Sequence, residues 1–413
     1  MTDAPMAAPR RRAAFIFVFF TILLDMLALG LVIPVMPRLV LSFVEGNQVV
    51  ATDIYGIFAT VWALMQFLFS PLQGALSDRY GRRPLILASN FGLGLDYILM
   101  ALAPNLVILF IGRMISGIAA ASITTSNAYI ADVTPEEQRA AKFGLMGVAF
   151  GVGFIVGPAL GGLLGSIDMR LPFWFAAVLS LLNGCYGLFV LPESLPPERR
   201  AKFEWRRANP IGALRLLRSH RELFGLSAAG FLNSLGHVVL STITVLYMTF
   251  RYGWDERMIG ITMALIGLCT MIVQGLLIGR FVALFGERAA LFAGLVFGMA
   301  GFVTFGVAQT GYWFWAGIPL LALWGLANAA FIAMMTRRVL PTEQGRLQGA
   351  NASLFGIANL IGPAIFTTIY ARAISPEHGL DLPGAPFLLT AVILGMSFLV
   401  ALAVVRPRAH AGS

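Results

Sequence analysis

Twelve long apolar runs restrict this chain to one kind of fold. They fall at residues 14–35, 54–76, 84–103, 105–130, 141–165, 172–191, 222–250, 257–280, 288–308, 312–336, 347–372 and 384–405. Each reaches the roughly 20 residues that a helix needs to cross a hydrocarbon core of about 30 Å. Only Pro104 and Asn105 interrupt the third and fourth runs before Leu106, so a short hairpin joins them. A transmembrane barrel would show alternating strands of about ten residues, and these runs are longer and continuously apolar. Soluble domains carry about 25% charged residues; here 12% are charged and 58% hydrophobic, with mean hydropathy +0.81. The expected fold class is an all-α membrane protein of twelve transmembrane helices.

The net charge of +9 is no nucleic-acid footprint, because of where the charges lie. With a cytoplasmic N-terminus, 23 of the 29 Lys and Arg fall on cytoplasmic segments. Arg38, Arg170, Arg251, Arg257 and Arg372 fall outside, and Arg113 lies in the membrane. That bias obeys the positive-inside rule. Both termini are then expected in the cytoplasm, with the chain in the bacterial inner membrane. Arg10, Arg11 and Arg12 before an apolar run mimic a signal peptide, but the run is too long, contains Asp25 and lacks a small-residue cleavage site. It reads as the first span. Cys185 and Cys269 both fall within spans, so no disulfide is expected.

The two halves repeat. Gly74, Gly81 and Arg83 recur as Gly279, Gly286 and Arg288 at an offset of 205. Phe150-Gly151 and Gly157-Pro158-Ala159 recur at the same offset as Phe355-Gly356 and Gly362-Pro363-Ala364. Val133, Pro135, Glu137 and Gln138 recur as Val339, Pro341, Glu343 and Gln344 at 206. The shift spans six helices, an even number, so both copies share one orientation. Parallel repeats about an axis along the membrane normal are a transporter architecture, with the site where the repeats meet. The expected division is a tail at 1–13, a six-helix bundle at 14–191, a linker at 192–221, a second bundle at 222–405 and a tail at 406–413. The linker carries Pro192, Pro196, Pro197 and eight Lys and Arg from Arg199 to Arg221. It reads either as a surface helix on anionic lipid or as a solvated tether.

Three ionisable residues interrupt the apolar runs of the first half: Asp25, Asp96 and Arg113. A charge in hydrocarbon costs at least about 2.5–3.5 kcal/mol, so such groups pair or line a wet pathway. At about 1.5 Å per residue, all three lie about 18 Å from the cytoplasmic surface, close to the midplane. Burial favours the neutral form of a carboxyl, and a neighbouring guanidinium favours the ionised form. A movable contact between them therefore loads and releases a proton. Asp25 is the expected carrier, with Arg113 tuning it. Asp96 either shares that work or forms a permanent bridge with Arg113. His237, at a similar depth in the seventh helix, either shares the proton, binds substrate or packs through a hydrogen bond. Gln66, Asn233, Asn328 and Asn359 are candidate pocket residues, or bond helix to helix.

On the cytoplasmic side, Asp78, Arg79, Arg82 and Arg83 surround Gly81 in a short turn. Asp78 is expected to accept from helix-start amides and bind a nearby Arg. The three Arg also serve the topology. The second copy has Ala283 in place of Asp78. In the fifth helix glycines recur at i and i+4, a spacing that lets backbones approach, here expected against a second-half helix. Gly157-Pro158 permits a bend. No metal-ligand spacing, phosphate-binding loop or nucleophile–base pair is present, so neither enzyme activity nor a cofactor is expected.

These residues resemble the major facilitator superfamily, and within it the drug:proton antiporters of the tetracycline-efflux type. The run Gly74 to Pro84, with Asp78, Arg79, Gly81, Arg82 and Arg83, is similar to the superfamily's loop between helices 2 and 3. Arg113 and Gly117 resemble its helix-4 motif. Gly147, Gly151, Gly153, Gly157, Pro158, Gly161 and Gly162 resemble its helix-5 antiporter motif. Leu24-Asp25, Leu95-Asp96-Tyr97 and Leu347-Gln348-Gly349 resemble the tetracycline branch. The resemblance implies a monomeric exporter that exchanges a small amphipathic compound for protons. Tetracycline pumps carry an aspartate in helix 9 and a histidine in helix 8, where this chain has Gly298 and Thr270. Broad recognition of apolar or cationic–amphipathic drugs is therefore expected, with tetracycline not preferred. Proton-linked uptake or facilitated diffusion of a nutrient is the competing transport reading, and a non-transporting receptor the alternative from another class.

Overall fold

The computed structural model describes residues 8–120, 122–134, 136–200, 221–339, 344–376 and 381–405. Pro135, Pro341 and Glu343 of the repeat, most of the linker and the C-terminal tail lie outside them. No strand occurs among the described residues. In chain order the helices are α1 Ala8–Val32, α2 Met36–Ser42, α3 Gln48–Tyr80, α4 Arg82–Leu102, α5 Leu106–Ala119, α6 Ser122–Val133, α7 Glu136–Ile167 and α8 Leu171–Val190. The second half continues with α9 Arg221–Thr242, α10 Thr244–Tyr252, α11 Glu256–Ile272, α12 Ile278–Val307, α13 Gly311–Leu323, α14 Gly325–Thr336, α15 Gln344–Ile374 and α16 Ala385–Val404.

Among the described residues, ten stretches are long and apolar enough to cross a membrane. One of them, the 52-residue Glu256–Val307, is broken at Gly286 and supplies two spans. The shorter apolar stretch Gly151–Ile167 of α7 supplies another. Twelve spans result. Only helices satisfy every backbone group within one segment in lipid, which is why an apolar chain of this length adopts them. Local chemistry sets their ends. Asn105 accepts from the Ile108 amide at 3.0 Å and starts α5. Proline opens α2, α8 and α16, where its missing N–H costs nothing. Gly253 closes α10 with φ 64°.

The repeat is visible in the backbone. Gly81 turns between α3 and α4 at φ 106°, and Gly286, 205 residues on, breaks α12 at φ 82°. Only glycine visits that region without strain. The first and fourth helices of each half are also interrupted. α1 passes to α2 through a turn at 33–35, and α9 to α10 at Ile243. α5 ends at Ala119 and α13 at Leu323, one residue before Trp324. Discontinuous helices at corresponding places in two repeats point to a transporter's binding region.

The chain forms two compact units. The first comprises Met1–Asn47, Ile57–Asn209 and Trp254–Gly267. Its core joins Phe17, Val18, Ile22 and Met26 of α1 to Ile86, Tyr129, Ile130, Met146 and Ala149. The second unit comprises Gln48–Gly56, Pro210–Gly253 and Leu268–Ser413. Its core is aromatic: Phe305 stacks on Phe314 at 3.8 Å, and the Tyr247 hydroxyl lies 3.1 Å from the carbonyls of both Phe305 and Ala308. Large apolar side chains on the outside, such as Val107, Phe189 and Leu399, suit a lipid solvent.

Candidate transport site

The first unit holds the charged centre. Asp25 on α1 and Asp96 on α4 are buried. Oδ1 of Asp25 has no hydrogen-bond partner among the described residues. The charge of Arg113 acts on Asp96, and the Ser116 side chain hydrogen-bonds to it. The Arg113 guanidinium lies over the Trp62 ring, 5.4 Å from its centroid. Tyr97, buried beside Asp96, feels the charges of Asp25, Asp96 and Arg113 together. Two glycines let α5 come this close. A Cβ at Gly112 would sit 3.1 Å from Asp96 Oδ1, and one at Gly117 would sit 2.5 Å from the Trp62 carbonyl. Nothing in the sequence marks Trp62 as the seat of Arg113, because no spacing rule relates α3 to α5.

At the end of α3 the charged loop is a network. Arg82 pairs with Asp78 at 2.5 Å and Asp132 at 3.2 Å, and its Nη1 donates to Ser77 Oγ at 2.6 Å. Arg83 donates to the Leu188 carbonyl at 2.7 Å, and Arg79 lies over the Tyr80 ring. Asp78 does bind an Arg, but it is not what caps α4. Glu193 takes that place, accepting from the amides of Arg82 at 2.8 Å and Arg83 at 3.3 Å. The reason is geometric: α4 starts after the turn at Gly81, while Asp78 is still within α3. Glu193 lies 111 residues from Arg82 in sequence, so no local pattern announces it.

The second copy of this loop keeps an ion pair with its polarity reversed. Arg337 Nη2 lies 2.7 Å from Glu287 Oε1. These residues stand 205 positions after Asp132 and Arg82. The cation has moved from the loop to the end of the fourth helix of the half.

The glycines of α7 divide between two partners. Gly153, Gly157 and Gly161 share one face, and that face meets the backbone of α1. A Cβ at Gly157 would stand 2.7 Å from the Leu27 carbonyl and 2.8 Å from Gly30 Cα. Of the motif, Gly162 makes the expected approach to a second-half helix, α11, beside Glu256 and Gly260. One residue along a helix turns about 100°, so Gly162 necessarily faces elsewhere than Gly161. Gly151 has open space, and the surroundings of Gly147 lie outside what the structure describes. Nearby, Arg38 Nη1 pairs with Glu256 at 2.5 Å and Nη2 donates to the Trp254 carbonyl at 3.3 Å.

The expected pocket residues are partly assembled. In the second unit Asn233 accepts from Trp324 Nε1 at 2.7 Å and lies 3.5 Å from Asn328. His237 stacks on Trp324 with centroids 4.0 Å apart. Asn359 donates to the Phe355 carbonyl of its own helix at 2.8 Å, so its amide works locally. Gln66 is half-buried in the first unit. Trp324 was not legible as a site residue; one tryptophan among many aromatics carries no signal.

A twelve-helix repeat with discontinuous helices and buried ionisable groups defines a secondary transporter. The chain matches the Major Facilitator Superfamily over residues 18–363 and 226–413, and it belongs to that family. It is 39% identical over 367 residues to the class C tetracycline resistance protein of Escherichia coli, covering 89% of this chain and 92% of that one. The class B protein of Escherichia coli is 31% identical over 379 residues, covering 92% and 94%. Among solved structures, the human organic anion transporter MFSD10 (TETRAN) is similar at TM-score 0.71 and 25% identity, over 94% of this chain and 99% of that one. The nucleoside transporter NupG shares the fold at TM-score 0.74 with 13% identity, over 97% and 100%. This chain is a multi-pass membrane transporter of a small molecule, not an enzyme.

Proposed function

We propose that the protein exports small amphipathic drugs, tetracycline-like compounds among them, in exchange for protons entering through Asp25, Asp96 and Arg113. The observation that carries this reading is the centre in the first unit. Two buried carboxyl groups stand there, Asp25 with an oxygen that has no hydrogen-bond partner among the described residues and Asp96 within the field of Arg113. A carboxylate in such a place is costly unless it is protonated or paired. Proton uptake and release can therefore be tied to a change of environment, and rocking of two repeats about a midplane site supplies one. Asp25 is the carrier and Arg113 its modulator; Asp96 is the second titrating carboxyl. The loop of Gly74, Asp78, Arg79, Gly81, Arg82 and Arg83 acts as the cytoplasmic gate. The α7 glycines let helices pack at close range, and Gln66, Asn233, His237 and Asn328 supply neutral polar contacts to substrate. The 31–39% identity to tetracycline resistance proteins supports drug export over nutrient uptake. The chain works as a monomer in the bacterial inner membrane with both termini cytoplasmic.

The test is drug accumulation in a pump-deleted strain expressing the chain, with proton flux in proteoliposomes alongside. Reduced accumulation, abolished by collapse of the proton gradient, is the expected result. Proton-linked nutrient uptake without protection against any drug overturns the reading.

A further inference from the structure

We propose that Trp62 is a positioning residue of the proton-coupling centre. Its ring face is a second seat for Arg113, taken up when Asp96 carries a proton and given up when Asp96 is ionised. The inference rests on the proton-coupled reading above and names the group that holds its guanidinium.

The faces of α5 put Arg113 between two neighbours. One stripe of α5 meets α4. A Cβ at Gly112 would stand 2.6 Å from Met100 Cγ and 3.1 Å from Asp96 Oδ1, and Ser116, one turn on, hydrogen-bonds to Asp96. The adjacent stripe meets α3. A Cβ at Gly117 would stand 2.5 Å from the Trp62 carbonyl and 2.8 Å from Met65 Cβ. Residues four apart share a helix face, so Arg113 lies on the stripe of Gly117. It stands one residue, about 100°, from Gly112. Its guanidinium is 5.4 Å from the Trp62 centroid, while its charge acts on Asp96. Two glycines thus press α5 against both helices, with the arginine at the border.

The indole itself points to its ring face. Its Nε1 is buried without a hydrogen-bond partner among the described residues, which a buried tryptophan seldom tolerates. Leucine or phenylalanine would fill the space without leaving a polar atom unsatisfied. Of the aromatic side chains, however, tryptophan binds a cation best. A guanidinium at membrane depth needs a partner. While Asp96 is ionised, the two charges partner each other. Once Asp96 is protonated, Arg113 loses that compensation, and a desolvated cation–π contact offsets the loss. The ring therefore lets Asp96 take a proton without stranding the arginine. The other ionisable groups around α4 are placed differently. Asp25 of α1 acts on Tyr97, beside Asp96. On α6, Tyr129 donates to the Pro192 carbonyl and Asp132 pairs with Arg82, both at the cytoplasmic end. On α8, Gly184 stands level with Phe91 and Leu181 with Gly94, so Cys185 and Tyr186 lie to the cytoplasmic side of Asp96.

The experiment keeps the shape of Trp62 and changes only its ring electrons. Tryptophan carrying one to four fluorines is placed at position 62 of the full chain by a suppressor tRNA. Fluorine draws electron density from the ring face and weakens its hold on a cation. Flux driven by a pH gradient in proteoliposomes, with tetracycline and ethidium as probes, should fall with each added fluorine. Four should leave about a tenth of the wild-type rate, the scale of one cation–π contact. A ring that only fills space gives the same flux across the series, and that result overturns the proposal. The second readout needs no transport. The fluorine NMR signal of 5-fluorotryptophan at position 62 responds to the cation above the ring. Arg113→Met removes that cation. Asp96→Asn, which imitates the protonated carboxyl, should seat the guanidinium more fully on the ring. The two variants should therefore shift the signal in opposite directions. No shift with Asp96→Asn, or a shift in the same direction as Arg113→Met, overturns the second seat. Should the wild type move neither probe, the export reading fails, and the NMR shifts alone decide where Arg113 sits.

Discussion

A buried carboxyl oxygen without a donor is an expensive way to hold charge, and Asp25 carries one among the described residues. Replacement of Asp25 by the amide removes the titration while breaking no hydrogen bond to its Oδ1 among the described residues. Asp25→Asn is therefore expected to abolish transport driven by a pH gradient and to leave expression, insertion and thermal stability near wild type. Proteoliposome flux and a detergent melting curve check the two halves of that statement. The glycines offer a sharper contrast at the same scale. Gly157→Ala places a methyl against the α1 backbone, 2.7 Å from the Leu27 carbonyl, and backbone cannot step aside as a side chain can. A loss of about 1–3 kcal/mol is expected, as for overpacking. Gly151→Ala meets nothing within 4 Å, and its melting temperature should be unchanged or slightly raised, since alanine favours helix.

At the scale of elements, the cytoplasmic ends are organised by caps and clasps. Glu193 satisfies the first amides of α4 from beyond the end of α8. Glu193→Ala should cost about 0.5–2 kcal/mol, the usual worth of a helix cap, measured as a shift in thermal unfolding. The reversed ion pair of the second half gives a different test. Arg337 is 63% and Glu287 16% exposed, so solvent screens the pair and its coupling should be under about 1 kcal/mol. Glu287→Arg and Arg337→Glu should each destabilise slightly, and the double exchange should recover most of the loss. It would also recreate the polarity of the first-half pair, Arg82–Asp132, so recovery of transport in the double variant reads directly on whether sign matters. Additive single effects with no recovery would show that the contact carries no coupling.

Across the whole molecule, repeat-related helices are shared out between the units. The start of α3 belongs with the second unit and the start of α11 with the first. Within the second unit Gly56 abuts Thr367, and within the first Gly260 abuts Gly162. Thr367 stands 205 residues after Gly162, so the two contacts are copies of one another. Arg38–Glu256 fastens the start of α11 in the first unit, and the alternating access proposed above requires that contact to open. Cysteines at 38 and 256 joined by a short cross-linker should stop turnover, and cleavage of the linker should restore it; unimpaired transport in the cross-linked protein would show that this contact never opens.

Composition and period were enough to establish twelve helices, the membrane and the two-fold repeat, because hydrophobic length and sequence offset are properties of the chain alone. The offset of 205 even paired two of the positive-φ glycines, Gly81 and Gly286. The buried ionisable residues were equally legible, since a charge in an apolar run needs no partner to be noticed. Partners were another matter. That Arg113 rests on Trp62, that Glu193 rather than Asp78 caps α4, that three of the α7 glycines face α1, and that Trp324 supports His237 are all relations between distant segments. Sequence spacing fixes which residues share a helix face, but not what that face meets. Helix rotation and packing choose among many compatible neighbours, and only the tertiary structure makes that choice.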